Sequence, residues 1–352
     1  MTKDETQQLK GFAILLMLWI HLFSDTDLEP LTHCLLPFFG GKPLAFAFSR
    51  IAAACVPIYI FLGGYGLTCV YRQRQGSMHN ARRALSLMAN FWMVFLLFVP
   101  LACITNPLLY PGSLLTLLLN VAAIDYSYNG AWWFLLPYVV LTLGAAPLIR
   151  LVLTGSRRRD MLLGALLLVA HVAGYLLKDI PIADGSPLRI VYTAANVLYM
   201  LLSFVAGILF VKYDILPLLR QRLSRLAQWQ LLSLLALLGM VKMLLGGSAL
   251  LNLPFVLLLL PLLLSIRMPA RLTAVLAYFG SHSTNLWLTH YFFAFYLFGP
   301  VIYRLSYPLL IFAALVGVSL FASYVVRWLY APLRRRIRRG DSRAQRCRPT
   351  YS

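Results

Sequence analysis

Acidic residues are scarce in this chain: 11 Asp and Glu stand against 31 Lys and Arg in 352 residues. No carboxylate lies in the middle of a long apolar segment. Proton-coupled transporters usually carry an Asp or Glu within the membrane, so this scarcity counts against that class. Glycosyltransferases normally show an acidic pair for a metal–sugar-nucleotide site, and no pair of that kind is visible.

Other signatures are missing as well. The five cysteines lie mostly in apolar segments or the C-terminal tail, so no disulfide framework is predicted. No Cys/His cluster has zinc spacing, and no metal site is expected. Glycine patterns of the Walker or dinucleotide type are absent, which makes an ATP-driven pump a poor interpretation. The sequence has no repeat of fixed period.

The chain is instead rich in apolar residues, which make up 61% of it and form long segments. Soluble domains are near 45–50% apolar, so the composition predicts an integral membrane protein. The segments are too long and too uniformly apolar for barrel strands, and the fold class is therefore all-α and polytopic. Ten transmembrane helices are predicted, at 9–23, 44–70, 84–105, 131–150, 160–177, 190–212, 228–245, 249–265, 272–297 and 307–330.

Charge predicts the topology. If the short apolar piece 112–124 does not cross, only six of the 31 basic residues face outward, leaving 25 inside. The positive-inside rule then places both termini in the cytoplasm. We expect one membrane domain, 1–332, followed by a basic, disordered cytoplasmic tail, 333–352. The net charge of +20 reflects this topology and attraction to the lipid bilayer, whereas basic residues scattered over separate loops do not indicate nucleic-acid binding.

Ionisable groups in the first segment, LKGFAILLMLWIHLF (9–23), are Lys10 and His21. Eleven helical steps come to about 20° beyond three turns, so the two share one face, roughly 16 Å apart along the axis. Asp25 follows His21 by one turn, where it would orient the imidazole or remain a solvated loop acid. His290 is a second intramembrane histidine, while His171 is best explained as a helix–helix hydrogen-bonding residue.

The first segment resembles the signature of the membrane acyltransferase-3 family, in which a basic residue precedes a histidine by eleven positions. Lys10 stands where that family usually has Arg. Further stretches are similar to family motifs in the same order: VPIYIFLGGYGLT, NGAWWFLLPYVV, LLSFVAGILF, FGSHSTNLWLTH and VRWLYAPLRRRI. The Glu common before the closing Pro is absent, since Ala331 occupies that position.

The resemblance implies a multi-pass enzyme of the bacterial plasma (inner) membrane. It would move an acyl group, often acetyl, from cytoplasmic acyl-CoA to a hydroxyl of a cell-surface polysaccharide or lipid-linked sugar. No permanently bound cofactor is expected, because acyl-CoA (acetyl-CoA) is a donor substrate. A membrane exporter or flippase of a glycan or lipid precursor, and a signalling or structural protein, remain the alternatives.

Catalysis by such an enzyme needs a base, oxyanion donors and cations. His21 is the expected base and Lys10 meets the donor, while His290 either acts directly or holds the acceptor. Candidate oxyanion or positioning groups are Tyr65, Trp133, Ser283 and Asn285, although Trp133 also suits an aromatic belt and Ser283 and Asn285 suit interhelical bonding. The CoA phosphates need basic partners on the cytoplasmic side, which Arg72, Arg74, Arg82, Arg83 and Arg157–Arg159 supply without any preference among them.

Overall fold

Helices account for nearly all of the described secondary structure. The computed structural model describes residues 1–24, 43–76, 79–178, 180–246, 248–297 and 299–346, with side chains through residue 333. The helices are α1 Lys3–Phe23, α2 Leu44–Ala52, α3 Cys55–Gln73, α4 Asn80–Thr105, α5 Leu114–Val121, α6 Leu135–Leu143, α7 Ala145–Leu153, α8 Arg157–Leu177, α9 Ile190–Lys212, α10 Ile215–Leu223, α11 Gln228–Leu245, α12 Asn252–Ser265, α13 Ala270–Tyr291, α14 Gly299–Tyr303 and α15 Pro308–Arg346.

Six helical segments are long and apolar enough to cross a bilayer within the described ranges. A seventh is obtained if Gly130–Leu143 and α7, which meet at a bend of 56°, form one broken span. The all-α membrane class is thus confirmed, while the count of ten spans and the cytoplasmic termini stay predictions. The three other predicted spans, 9–23, 249–265 and 272–297, are helical but too polar or too short to qualify by themselves.

Polar groups explain two of these exceptions. α1 begins with charged residues and carries Lys10 and His21, and α13 carries His282, Ser283 and His290. These three side chains of α13 are buried in the protein rather than turned to lipid. Both helices therefore lie at the centre of the bundle, where a span need not be uniformly apolar.

One short predicted segment agrees with the structure, and one predicted boundary does not. Segment 112–124 contains only α5, whose eight residues rise about 12 Å and cannot span a bilayer. At the other end of the chain, a disordered tail was expected from 333, but α15 runs on to Arg346. Arginine, which is frequent in 333–346, is a good helix former. These residues also extend a helix that has already formed, so no new helix has to be nucleated.

The closest helix packing in the bundle joins α1 to α13. A Cβ atom on Gly11 would overlap the carbonyl oxygen of Leu276, and one on Gly280 would overlap that of Gln7. Only glycine permits backbones to approach in this way. Gly64 and Gly207 make the equivalent contact between α3 and α9.

We therefore expect Gly11→Ala to lower the thermal midpoint of the detergent-solubilised protein. Overpacking of a close contact costs about 1–3 kcal/mol. Gly66→Ala is the matched control, because nothing lies within 4 Å of the added methyl group. Equal midpoints for the two variants would show that α1 and α13 can separate at no cost.

Loops at the His21 end of α1 are held together by a buried carboxylate. Asp125 is fully buried, accepts a hydrogen bond from the backbone N–H of Gly185 at 2.8 Å, and lies 2.9 Å from Nε of Arg189. The same Arg189 also pairs with Asp184, whose side chain is 68% exposed. Asp125 thus links the segment after α5 to the segment before α9.

Removing this carboxylate should be costly. Without Asp125, the buried Arg189 keeps only its exposed partner Asp184, and the N–H of Gly185 loses its acceptor. Loss of a buried ion-pair partner destabilises by about 3–5 kcal/mol, whereas an exposed pair contributes about 0–1 kcal/mol. Asp125→Ala should therefore lower the thermal midpoint far more than Asp184→Ala. Similar losses in the two variants would contradict a structural role specific to Asp125.

Candidate active site

A cavity of about 360 Å³ runs between α1, α3, α13 and the segment 131–138. Its wall includes four residues that the sequence had singled out: Lys10, His21, Trp133 and Ser283. The wall also holds residues that sequence reasoning had missed, of which Tyr59, Asn252 and Lys178 are polar. No periodicity or motif in the sequence would have brought these residues together.

Lys10 and His21 both face this cavity from α1, as their spacing predicted. Within the described ranges, Lys10 forms no ion pair, and its backbone carbonyl accepts a hydrogen bond from the Tyr59 hydroxyl at 2.9 Å. An ammonium without a carboxylate partner in a cavity wall is available to an anionic ligand. The cavity therefore has a cation toward one end of α1 and an imidazole toward the other.

His21 and His290 form a hydrogen-bonded pair. Nε2 of His290 lies 3.2 Å from Nδ1 of His21, and the ring centroids are 4.8 Å apart. Nδ1 of His290 lies 2.8 Å from the carbonyl oxygen of Trp287 and 3.1 Å from that of Leu286. Because carbonyls only accept, Nδ1 of His290 carries its proton, and its Nε2 offers a lone pair to His21.

The same reasoning fixes the tautomer of His21. Its Nδ1 lies 2.8 Å from the carbonyl oxygen of Met17 and faces the lone pair of His290 Nε2. Both neighbours accept, so Nδ1 of His21 donates and its Nε2 is left with a free lone pair. His21 reaches the cavity, whereas His290 is fully buried behind it. The geometry thus makes Nε2 of His21 the basic atom and His290 the group that orients it.

The sequence had suggested Asp25 as an orienting partner for His21. Asp25 lies outside the described residues, so its relation to His21 stays a prediction. His21 and His290 are separated by 269 positions in the chain. A sequence cannot show that two such distant histidines are in contact, although the family resemblance had pointed to each of them.

Tryptophans fasten the segment 130–134 to α13. Nε1 of Trp132 donates to the carbonyl oxygen of Leu288 at 3.0 Å, and Nε1 of Trp287 donates to that of Ala131 at 2.8 Å. Trp132 is 1% exposed, so it is part of the core and not of an aromatic belt. These bonds hold Trp133 in the cavity wall, across from α1.

Two other predicted residues lie elsewhere. The amide oxygen of Asn285 accepts from Nδ2 of Asn90 at 2.7 Å, and its Nδ2 donates to the carbonyl oxygen of Ser323 at 3.3 Å, joining α4, α13 and α15. Tyr65 accepts a hydrogen bond from the N-terminal amine at 3.2 Å. Neither side chain is part of the cavity wall.

The predicted arginines Arg82 and Arg83 lie in the first turn of α4. Arg83 is exposed, Arg82 is half-buried, and neither belongs to the cavity wall. Arg83 is nevertheless close enough to Tyr138 for an electrostatic interaction, and Tyr138 does line the cavity. Leu87, one turn after Arg83 on α4, also lines the cavity, so Arg83 lies close to the cavity wall.

Comparison with known proteins identifies the family of this chain. The family model for the acyltransferase domain of the acyltransferase-3 family matches residues 6–328, which include both histidines of the pair. No curated protein and no solved structure gives a significant match. A polytopic α-helical bundle and a match over nearly its whole length lead to one conclusion: the chain belongs to the acyltransferase-3 family and is a multi-pass membrane acyltransferase.

Proposed function

We propose that this protein transfers an acyl group, with acetyl as the first to test, from cytoplasmic acyl-CoA to a hydroxyl of a cell-surface polysaccharide or lipid-linked sugar. The bacterial plasma membrane is the proposed location. One observation carries the proposal: a single cavity has the Lys10 ammonium in its wall toward one end of α1 and the oriented His21 imidazole toward the other. The donor would enter at the Lys10 end and the acceptor at the His21 end.

Nε2 of His21 would remove the proton from the acceptor hydroxyl. The hydroxyl oxygen then attacks the thioester carbonyl carbon, and the carbonyl oxygen becomes an oxyanion. As this intermediate collapses, the carbon–sulfur bond breaks and the CoA thiolate takes the proton from His21. The imidazolium formed in between is stabilised by the lone pair of His290 and the carbonyl of Met17, which both face Nδ1.

Donors for the oxyanion would come from the cavity wall. Ser283, Tyr59 and the indole of Trp133 all line the cavity, and the Tyr59 hydroxyl donates to the carbonyl oxygen of Lys10. The Ser283 hydroxyl and the Trp133 indole, held in the wall by the packed helices, can stabilise a developing charge without reorganising water. Tyr65 and Asn285, which lie outside the wall, are less suited to this role.

The test is release of free CoA. Purified protein in nanodiscs receives acyl-chain-labelled acetyl-CoA with or without an envelope glycolipid extract, and both the free thiol and the labelled product are measured. We expect thiol release that depends on the acceptor, with label recovered in the glycolipid fraction. If thiol release is the same with and without extract across several acyl chain lengths, and no label is transferred, the proposal fails.

Arg83 is the arginine that the geometry favours for the CoA phosphates. Charge-assisted hydrogen bonds contribute about 1.5–3 kcal/mol each, so Arg83→Gln should raise the KM for acyl-CoA by roughly 10-fold or more with little change in kcat. Arg222→Gln, which removes an exposed charge from α10, is the matched control. An unchanged KM in Arg83→Gln would place the phosphates elsewhere.

A further inference from the structure

Two basic residues lie side by side where α2 packs against α11. Nη1 of Arg50 donates to the carbonyl oxygen of Met243 at 2.5 Å, which brings the guanidinium next to the backbone of Lys242. The two charges are close enough to interact electrostatically. Neither residue forms an ion pair with any carboxylate in the described ranges.

Lys242 is the more unusual of the two, because its side chain is only 3% exposed. Its ammonium has three N–H donors, yet its one hydrogen bond within the described structure is a long contact of 3.4 Å to the carbonyl oxygen of Gly246. A buried ammonium without a counter-ion destabilises a protein, and a second cation beside it adds repulsion. An anion held between Arg50 and Lys242 would relieve both costs.

The pair belongs to the His21 end of the bundle. Nε1 of Trp19, two residues before His21, donates to the carbonyl oxygen of Ala45 in α2 at 2.9 Å. Ala53, three residues after Arg50, and Asn252, at the start of α12, both line the cavity. Another cation, Lys178, lines it as well, with Nζ 4.4 Å from the ring centroid of Tyr199. The surroundings of His21 are therefore cationic.

An apolar surface adjoins the same site. Leu244 and Leu245 follow Lys242 on α11 and are 53% and 61% exposed. On a membrane-spanning helix such side chains face lipid. A ligand with a phosphate and an isoprenoid or acyl chain would satisfy both features, whereas a free neutral glycan would satisfy neither.

We propose that Arg50 and Lys242 bind the phosphate of a lipid-linked sugar acceptor. The identification of this ligand as the acceptor rests on the proposed function. The lipid chain would lie along α11, the phosphate between the two cations, and the sugar would extend into the cavity toward His21. The acceptor class is thus an anionic polyprenyl-phosphate-linked sugar rather than a free polysaccharide.

Binding is measured without any acyl donor, so the result does not depend on acyl transfer. Full-length protein in neutral detergent is titrated with geranylgeranyl phosphate, geranylgeraniol, dioctanoyl phosphatidylglycerol and inorganic pyrophosphate. Geranylgeranyl phosphate should bind at least about tenfold more tightly than each of the others. Arg50→Gln and Lys242→Met should each raise its Kd by about tenfold or more, since each removes a charge-assisted hydrogen bond.

Arg304→Gln is the matched control, because it removes an exposed cation elsewhere and should leave the Kd unchanged. Without ligand, Lys242→Met should raise the thermal midpoint, since it removes an uncompensated buried charge. A lower midpoint would mean that Lys242 is neutralised within the chain and would overturn the site. An unchanged Kd for geranylgeranyl phosphate in both Arg50→Gln and Lys242→Met would also overturn the site. If phosphatidylglycerol binds as tightly as geranylgeranyl phosphate, the site binds bulk phospholipid, and its assignment to the acceptor is overturned.

Discussion

His21→Ala should lower kcat by about 10²–10⁴-fold, the usual contribution of a positioned general base. The imidazole is lost from the cavity wall, and the described wall contains no second histidine to replace it. The KM for acyl-CoA should change little, because the proposed donor contacts lie toward Lys10. Steady-state kinetics on purified protein, with reconstitution checked by thermal midpoint, measure both quantities.

His290 supplies the decisive comparison for this variant. In His290→Ala the ring of His21 remains but loses the partner of its Nδ1, so kcat should fall by a smaller factor than in His21→Ala. The opposite order, with near-wild-type turnover in well-folded His21→Ala and none in His290→Ala, would make His290 the base.

Lys10→Ala should raise the KM for acyl-CoA by roughly 10–100-fold, which corresponds to about 1.4–2.8 kcal/mol of lost binding free energy. The ammonium lines the cavity and forms no ion pair in the described structure, so a bound anion would be its main partner. The kcat should change much less than the KM. Initial rates over a range of acyl-CoA concentrations separate the two effects.

Two further variants serve as controls, one for the charge of Lys10 and one for its position on the helix. Lys10→Arg keeps the cation and should retain most of the affinity, although arginine places its charge differently. Lys3→Ala removes an exposed lysine from the same helix and should have no effect. If Lys10→Ala and Lys3→Ala behave alike, Lys10 is an interfacial anchor and not a donor-binding residue.

Local patterns in the sequence predicted the parts of the fold that depend on neighbours along the chain. The long apolar segments became α4, α8, α9 and α11 with boundaries close to those expected. The shared face of Lys10 and His21 followed from helical geometry alone, and both residues line one cavity. Breaks were harder to foresee: 44–70 and 131–150 each contain two helices, because a bend in an apolar segment leaves its hydropathy unchanged.

The rest of the site depends on contacts between distant segments. The His21–His290 bond, the position of Tyr59 and the wall formed by Asn252 arise only when α1, α3, α12 and α13 pack together. Tyr65 and Asn285 had seemed equally good candidates, since a sequence does not tell which side of a buried helix faces a cavity. Their hydrogen bonds to the N-terminal amine and to Asn90 are also long-range contacts.

The crossing of α1 and α13 has a mechanical consequence. Gly11 and Gly280 mark the point of closest approach, and each precedes its histidine, His21 or His290, by ten residues. Each histidine therefore lies about 15 Å along its helix from the crossing point. A change of roughly 4° in the angle between the two helix axes would shift the histidines relative to each other by about 1 Å. Displacements of that size can reduce catalysis by about 10²-fold. Because transmembrane helices tilt to match the surrounding lipid, we expect turnover to depend on bilayer thickness.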